Sequence, residues 1–432
     1  MTKQLIDQIE GEASIRFDMK ENMVDFATIA FPHFRGMEAI LEGKPALDAL
    51  VVTPRVCGIC GHAHLMASVR AMESAYADAN EPVQLTAKAD TIREVTLVLE
   101  MIQNHFKWIY LVIMPELAKL RPEKIALTPL KGAYAASLAS KALASFAGQW
   151  PHSSYMLPGG VSCDPTHLER IKAQSLVDEL ISFFEKECAG TALDDFLAFD
   201  SCHDFNALES DIGEIERALT AAGMHKKGFA YDRFMVLGEH RFTNPAKVMQ
   251  TRLLQADEKH VKTHSAYSPS EKTFAKNACY KDEFYECGPL SRAMASNVEL
   301  IKSMHRRFKD SAYSRVMARI FETARLLDHA RDMLGSLALN EDSLIPPKPI
   351  TGISGCGVGV VEAPRGPLIH RVEIEEGIIK SYEIVTPTQW NIGSSVKENP
   401  TPAQLAMMGN VTMEEALFIF RTFDVCSVCT TH

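Results

Sequence analysis

The sequence has 432 residues, of which 46% are hydrophobic and 23% are charged, and this composition excludes collagen-like and disordered chains. Lys and Arg number 45 against 55 Asp and Glu, so the formal net charge is −10. An acidic chain offers no extended basic surface to a phosphate backbone, which argues against nucleic acid as a partner.

The N-terminal segment lacks the basic region and continuous apolar stretch of a secretion signal. We therefore expect a cytoplasmic protein, in which any association with a membrane is made through partner subunits. The most apolar run, residues 108–114, is far shorter than the ~20 residues that a membrane-spanning helix needs. This run predicts a buried helix and no transmembrane segment.

Hydrophobic periodicity predicts a mainly α protein with small peripheral β-sheets. Residues 9–31 alternate in polarity and predict a hairpin that turns near residues 20–22. A short helix is predicted at 36–41, and a long buried helix or helix pair over 83–120. Further helices are predicted near residues 131–147, 166–189, 208–222, 244–262 and 290–338.

The C-terminal third of the sequence begins with a predicted loop and two predicted strands. Residues 342–354 have the composition of a loop, and residues 371–385 read as two strands around a turn at Glu376–Gly377. No Pro- or Ser-rich linker divides the chain, so we expect residues 1–432 to form a single interlocked domain.

Four of the ten cysteines form two Cys-x-x-Cys pairs. Residues 55–64 read RVCGICGHAH and residues 424–432 read DVCSVCTTH, so a histidine, His64 or His432, follows each pair. In a chain without a secretion signal, this spacing favours metal ligands over disulfides. Two such pairs supply four thiolates, a donor set that suits zinc, an iron-sulfur centre or another soft transition metal.

A structural zinc site with four cysteine ligands is the simplest alternative. Such sites usually hold together a small unit with a short loop between ligands, whereas Cys60 and Cys426 are separated by most of the chain. A site that draws both ends of a large protein together favours chemistry in its core.

The two cysteine motifs closely resemble those of the large subunit of nickel-iron hydrogenases. Four further segments, in family order, are similar to the family's Arg-Ile-Glu-Gly-His, Arg-Gly-x-Glu, Glu-Ala-Pro-Arg-Gly and Pro-Thr-x-Trp-Asn elements. They are residues 8–11 (QIEG), 34–38 (FRGME), 362–370 (EAPRGPLIH) and 385–391 (VTPTQWN). The resemblance implies a helical bundle in which a metal site joins N- and C-terminal segments.

By this resemblance, Cys57 and Cys426 would bind nickel terminally, while Cys60 and Cys429 would bridge nickel to an iron that carries carbon monoxide and cyanide. Anionic sulfurs suit redox-active nickel, and a terminal thiolate can accept the proton when dihydrogen splits heterolytically. His64 would hydrogen-bond a bridging sulfur.

The resemblance also implies catalytic residues around the metals. Glu10 would be the proton gate that takes a proton from Cys426 toward solvent, with an exposed strand glutamate as the alternative. Arg365 would hydrogen-bond one cyanide and Thr388 the other, although an arginine in a Pro-Arg-Gly turn can also be a surface residue. Asp424 would pair with or orient Arg365, with a capping aspartate as the alternative.

The resemblance also implies, less directly, roles for two further carboxylates, those of Glu38 and Glu116. Glu38 and His432 would help to hold a second metal, magnesium or iron, near the C-terminus, and a Glu38 salt bridge is the alternative. Glu116 falls where the family tends to place a carboxylate that faces the Arg365 pocket, and a glutamate at a helix N-terminus is equally compatible.

No further cluster motif exists in the chain, so electrons from dihydrogen must leave through another subunit. The resemblance implies a higher oligomer of heterodimers, each of which contains an iron-sulfur small subunit. Three positions depart from the family pattern, because Val425 replaces a proline, Gln8 replaces an arginine and Glu12 stands where histidine is frequent. Residues 150–161 resemble most the cytoplasmic uptake branch, with sensory and cofactor-reducing branches as alternatives.

Two functional hypotheses follow. In the first, the chain is the catalytic subunit of a hydrogenase that reversibly oxidises dihydrogen to protons and electrons. In the second, it is a dihydrogen-sensing regulatory homologue or a non-catalytic protein with a structural metal. The joint presence of Glu10, Arg365 and all four cysteine ligands favours catalysis.

Overall fold

The computed structural model describes residues 2–8, 11–121, 125–237, 247–249, 253–255, 258–265, 273–274, 276–409, 411–424 and 426. Most of these residues are helical. The α-helices are α1 (Met37–Leu41), α2 (Ala49–Val52), α3 (Gly61–Asp78), α4 (Ala87–Lys107), α5 (Met114–Leu120), α6 (Pro129–Ala147), α7 (His167–Phe183), α8 (Leu193–Leu197), α9 (Cys202–Asn206), α10 (Asp211–Ala221), α11 (Pro289–Ala295), α12 (Glu299–Phe308), α13 (Ala312–Gly335), α14 (Pro387–Asn391), α15 (Pro402–Ala406) and α16 (Met413–Thr422).

Short antiparallel sheets complete the fold. The strands are β1 (Thr2–Gln8), β2 (Gly11–Lys20), β3 (Met23–Ala30), β4 (Met156–Leu157), β5 (Gly160–Val161), β6 (Phe234–Val236), β7 (Lys247–Met249), β8 (Leu253–Gln255), β9 (Val261–Ser265), β10 (Lys276–Tyr280), β11 (Gly355–Ala363), β12 (Gly366–Glu375) and β13 (Ile378–Val385). They pair as β1–β2–β3, β6–β7–β8, β11–β12–β13, β4–β5 and β9–β10. The predicted class, mainly helical with small sheets, is confirmed.

The predicted N-terminal hairpin is formed by β2 and β3. Its turn residues, Glu21 and Asn22, both have positive φ values of 51° and 63°, the conformation that a two-residue hairpin turn needs. The hairpin also pairs with a segment from the other end of the chain, because Val24 N donates to Val411 O and Gly409 N donates to Val24 O, both at 2.9 Å. The two ends of the sequence therefore share one structural layer.

The predicted long helix over residues 83–120 is α4, a π-helical turn and α5 in succession. The side chain of Thr86 caps its first turn by accepting from Ala89 N at 3.1 Å. Helix α4 packs against α6 and α13 in the interior, so its polar side chains are buried. None of the described helices is long and apolar enough to cross a lipid bilayer.

The helix predicted at residues 244–262 is wrong. The described part of this region contains β7, β8 and the first residues of β9. Met235 of β6 pairs with Val248 of β7, which in turn pairs with Leu254 of β8. Tertiary pairing with β6 therefore overrides the helix-like spacing of the apolar residues.

Three glycines let α3 lie directly on the β11–β12–β13 sheet. Gly355, Gly357 and Gly359 occupy alternate positions of β11, so they share one face. A Cβ atom at Gly357 would lie 1.9 Å from the carbonyl oxygen of Ala71, and one at Gly359 would lie 2.0 Å from that of Ala67. This close approach brings the N-terminus of α3 to the turn between β11 and β12.

We expect Gly357→Ala to lower the free energy of unfolding by about 2 kcal/mol or more, because the added methyl group meets helix backbone that cannot move aside. Gly352→Ala is the matched control, since a Cβ atom there has no neighbour within 4 Å. Urea unfolding of the two variants checks the prediction. Equal stability of the two would show that α3 can shift on the sheet at no cost.

Candidate metal centre

The first cysteine pair lies on the loop that enters α3. Cys57 is fully buried and Cys60, the residue before the first helical position, is 6% exposed. The amide of Ile59 lies 3.5 Å from Cys57 Sγ. The Cys-x-x-Cys spacing thus turns both thiols toward the interior at the N-terminus of a helix, where the helix dipole favours negative charge.

A buried carboxylate that the sequence analysis missed holds this helix end in place. Glu100 of α4 accepts from the amides of His62 at 2.9 Å and Ala63 at 3.0 Å, and from the indole of Trp150 at 3.1 Å. Burial raises the pKa of Glu100 to about 7, although the helix amides and Trp150 oppose the shift. The start of α3 is therefore anchored to α4 directly behind the cysteines.

The second cysteine pair contributes Cys426, which reaches the first pair from the other end of the chain. Its sulfur lies 3.4 Å from that of Cys57. The sulfurs of Cys57, Cys60 and Cys426 all lie within 4.8 Å of one another, and all three residues are buried. Metal–thiolate bonds of about 2.3 Å allow sulfurs at such separations to share one metal ion.

Asp424 fixes the segment that carries Cys426. It is 3% exposed and has a positive φ of 59°. Its carboxylate accepts from Arg319 of α13 and from Arg365 of the β11–β12 turn, the latter at 3.1 Å. Burial alone would raise the pKa of Asp424, but the two arginines outweigh it and lower that pKa.

Arg365 stands beside the cysteines. Its Nε donates to the backbone oxygen of Asp424 at 3.1 Å, and its Nη1 donates to Oδ1 of Asn104 at 3.3 Å. Burial opposes its charge, but Asp424 and the three sulfurs hold the pKa of Arg365 well above its ordinary value. A permanent positive charge therefore faces the thiols, as electrostatic stabilisation of an anionic cluster requires.

A second buried ion network supports this turn. Arg292 of α11 makes a bidentate pair with Glu322 at 2.7 and 2.8 Å and bonds Glu362 at 3.0 Å. It also donates to the carbonyls of Ala363 and Pro364, each at 3.0 Å. The acidic residue that opens the EAPRG segment therefore shapes the loop that presents Arg365.

His64 and Thr388 are both buried. His64 Nδ1 lies 3.0 Å from Nε2 of His370, whose Nδ1 lies 2.8 Å from the Tyr382 hydroxyl. Thr388, 1% exposed at the start of α14, has a hydroxyl with no hydrogen-bond partner among the described residues. A buried hydroxyl without a partner is costly in a protein, so this one fits a bound group that accepts a hydrogen bond.

Glu38 and Glu116, two of the acidic residues named from the resemblance, make ion pairs in this structure. Glu38 of α1 binds Lys276 at 2.7 Å and accepts from the amide of Ile384 at 2.8 Å. Glu116 of α5 binds Lys119 at 2.8 Å. Glu10, Cys429 and His432, the other predicted site residues, lie outside the described residues.

The donor set fits a soft transition metal bound by thiolates. Three buried sulfurs converge without forming a disulfide, since the three cysteines are free. Thiolates so close together repel one another unless a cation lies between them. Arg365 alone cannot neutralise them, because it is shared with Asp424.

Comparison with known proteins identifies the class. The family model described as nickel-dependent hydrogenase matches residues 35–114 and 130–432. Because this match covers most of the sequence, the chain belongs to the nickel-dependent hydrogenase family. It is thus a subunit of an oxidoreductase that acts on dihydrogen, which favours the catalytic hypothesis over the sensory and structural ones.

Related sequences and a solved structure align with this chain over nearly its whole length. A subunit of the F420-non-reducing hydrogenase of Methanothermobacter marburgensis is 26% identical, with 100% of this chain and 94% of the relative aligned. The alpha subunit of sulfhydrogenase 1 of Pyrococcus furiosus is 23% identical, with 99% and 96% aligned. The Ni-Fe-Se hydrogenase of D. vulgaris Hildenborough superposes with a TM-score of 0.82 over 100% of both chains at 20% identity, which shows the same fold.

The buried network makes stability depend on pH. His105 bonds Glu322 at 2.8 Å, and burial lowers its pKa from 6.5 to about 4, although Glu322 opposes the shift. The unfolded chain therefore binds a proton at His105 below pH 6.5, while the folded chain does so only near pH 4. The stability that the folded chain has with a neutral His105 is fully present above pH 6.5 and is lost as the pH falls toward 4.

We expect protonation of His105 in the unfolded chain to lower the free energy of unfolding by about 2 kcal/mol as the pH falls from about 7 to about 5. In His105→Gln, which can still donate to Glu322, this part of the pH dependence should disappear. His203→Gln, at an exposed position, is the control and should keep the dependence of the unmodified protein. Urea unfolding at the two pH values measures the difference, and parallel curves for both variants would contradict the assignment.

Proposed function

We propose that this chain is the metal-bearing large subunit of a nickel-iron hydrogenase that cleaves dihydrogen heterolytically and reversibly. The convergence of the sulfurs of Cys57, Cys60 and Cys426 within 4.8 Å supports the proposal most directly. Cys57, Cys60, Cys426 and Cys429 would hold the centre, in which the iron carries carbon monoxide and cyanide. When bound, such a centre polarises dihydrogen and takes up its electrons.

Residues of this chain would accept the proton and transfer it toward solvent. The Cys426 sulfur, two residues after the Asp424 that pairs with Arg365, would accept the proton, and Glu10 would relay it onward to solvent. Arg365 would stabilise the anionic form of the sulfurs and so keep them deprotonated and available as proton acceptors. Because Cys426, Arg365 and Asp424 are buried, electrostatic interactions among them are stronger than they would be in water.

Polar donors would orient the diatomic ligands of the iron. Arg365 offers nitrogen donors beside the sulfurs, and the Thr388 hydroxyl supports the same role because it lacks a partner among the described residues. His64, next to the cysteine loop, would bond a bridging sulfur. Glu38 and His432 would contribute to a magnesium or iron site, for which Glu38 would have to exchange its ion pair with Lys276.

Electrons would leave through an iron-sulfur small subunit in the cytoplasm, in a higher oligomer of heterodimers. The relative from Archaeoglobus profundus is named an iron-sulfur subunit of an F420-non-reducing hydrogenase. The large subunit from Desulfomicrobium baculatum is named periplasmic, so cell fractionation is the direct test of location.

Infrared spectroscopy and metal analysis of the anaerobically purified two-subunit complex test the proposal. We expect iron-bound carbon monoxide and cyanide stretches, stoichiometric nickel and dihydrogen-dependent dye reduction. Cys426→Ala should lose nickel and dye reduction together, while Cys279→Ala, which removes a buried thiol of β10, should keep both. Stoichiometric zinc without these stretches in the unmodified complex would refute the catalytic function.

The role of Glu10 is tested by Glu10→Gln. We expect this variant to keep its nickel and its carbon monoxide and cyanide bands but to lose hydrogen–deuterium exchange by at least about 100-fold, the usual scale of general acid–base catalysis. Glu12→Gln, two residues away, is the control. Normal exchange in the Glu10 variant would remove this residue from the proton path.

A further inference from the structure

Asn104 links Arg365 to the first cysteine loop. It lies on α4, is 3% exposed, and its Oδ1 accepts from Arg365 Nη1 at 3.3 Å. Its Nδ2 donates to the carbonyl of Ile59 at 2.6 Å and to that of Glu100 at 2.8 Å. Since Ile59 lies between Cys57 and Cys60, a single side-chain amide connects the guanidinium group with the backbone that carries two sulfurs.

The chemistry of these neighbours requires an amide. A guanidinium group only donates hydrogen bonds, and backbone carbonyls only accept them. The side chain between them must therefore accept on one side and donate on the other, at the same time and in a fixed orientation. Asn does both, whereas a carboxylate would face two carbonyl oxygens and an alkyl group would remove the bonds to the Arg365 guanidinium and the Ile59 carbonyl.

The same amide adds a contact to Arg365 without adding negative charge. Glu116, which the sequence suggested for this pocket, is paired with Lys119. The carboxylate that does bind Arg365, Asp424, is shared with Arg319. The positive charge of Arg365 is therefore only partly neutralised and remains directed at the sulfurs.

We propose that Asn104 is a positioning residue for the dihydrogen reaction, which fixes the orientation of the Arg365 guanidinium relative to the cysteine sulfurs. The inference rests on the proposed function. Asn104 acts through Arg365, because Arg365 is the only hydrogen-bond partner in the described structure that Asn104 contacts at a charged group. The bonds to Ile59 and Glu100 are made to backbone carbonyls, and the bond to Gln103 is made to a neutral amide oxygen.

A double-mutant cycle tests this role in the assembled two-subunit complex. It compares Asn104→Leu, Arg365→Lys and the double variant with the unmodified complex by nickel content, infrared bands and hydrogen–deuterium exchange. Thr96→Val is the matched control, because Thr96 is a fully buried polar residue about two turns away on the same helix. Asn104→Ser, which is too short to reach Arg365, replaces the leucine variant if that variant does not fold.

We expect Asn104→Leu to keep stoichiometric nickel, to shift the carbon monoxide and cyanide bands, and to slow exchange by about 10-fold or more. In the Arg365→Lys background the same substitution should have almost no further effect, because the group that it positions has been removed. Thr96→Val should leave the bands and the rate unchanged.

Three results would overturn the inference. Unchanged bands and rate in Asn104→Leu would show that Arg365 needs no such support. Additive losses in the double variant, or loss of nickel from Asn104→Leu alone, would show that Asn104 acts on the cysteine loop and not through Arg365. Absence of nickel and of the bands from the unmodified complex is a separate outcome, which contradicts the proposed function itself.

Discussion

The ion pairs of Asp424 with Arg319 and Arg365 are the interaction on which the metal centre depends. A buried ionised carboxylate needs charged or hydrogen-bonding partners, and removing one partner of a buried ion pair typically costs about 3–5 kcal/mol. Asp424 therefore has one acceptable position, between a long helix and the β11–β12 turn. Cys426, two residues further on, is thereby placed 3.4 Å from Cys57.

Other buried charged residues fix the elements around Asp424 and the cysteines. Buried ion pairs contribute little net stability, since their desolvation offsets much of their attraction. What they provide here is geometry, because Arg292 and Glu322 define the turn that carries Arg365, and Glu100 defines the start of α3. Metal ligands held by residues that are themselves fixed need little reorganisation when the metal binds.

Local patterns predict much of this structure, and long-range pairing determines the remainder. The hairpin at β2 and β3 and the long helix α4 follow from alternation and helical spacing, and the motifs identify Cys57, Arg365 and Asp424. Glu100 and Asn104 lie four residues apart and therefore share one face of α4, but polar residues at this spacing are equally typical of a solvent-exposed face. Their partners, the amides of α3 and Arg365, come from distant segments, so no local pattern could predict the contacts. Strands β7 and β8 likewise depend on long-range pairing, because β7 pairs with β6 and β8 pairs with β7.

The pairing of the two ends of the chain has a consequence for how the protein is made. Residue 57 emerges from the ribosome 369 residues before its partner, residue 426, and residue 24 likewise emerges long before residue 411. Contacts of such high sequence separation slow folding, because loop closure must precede any gain from the contact. The first cysteine pair thus spends most of synthesis without its counterpart, and its apolar surroundings must be protected from aggregation until the chain can close.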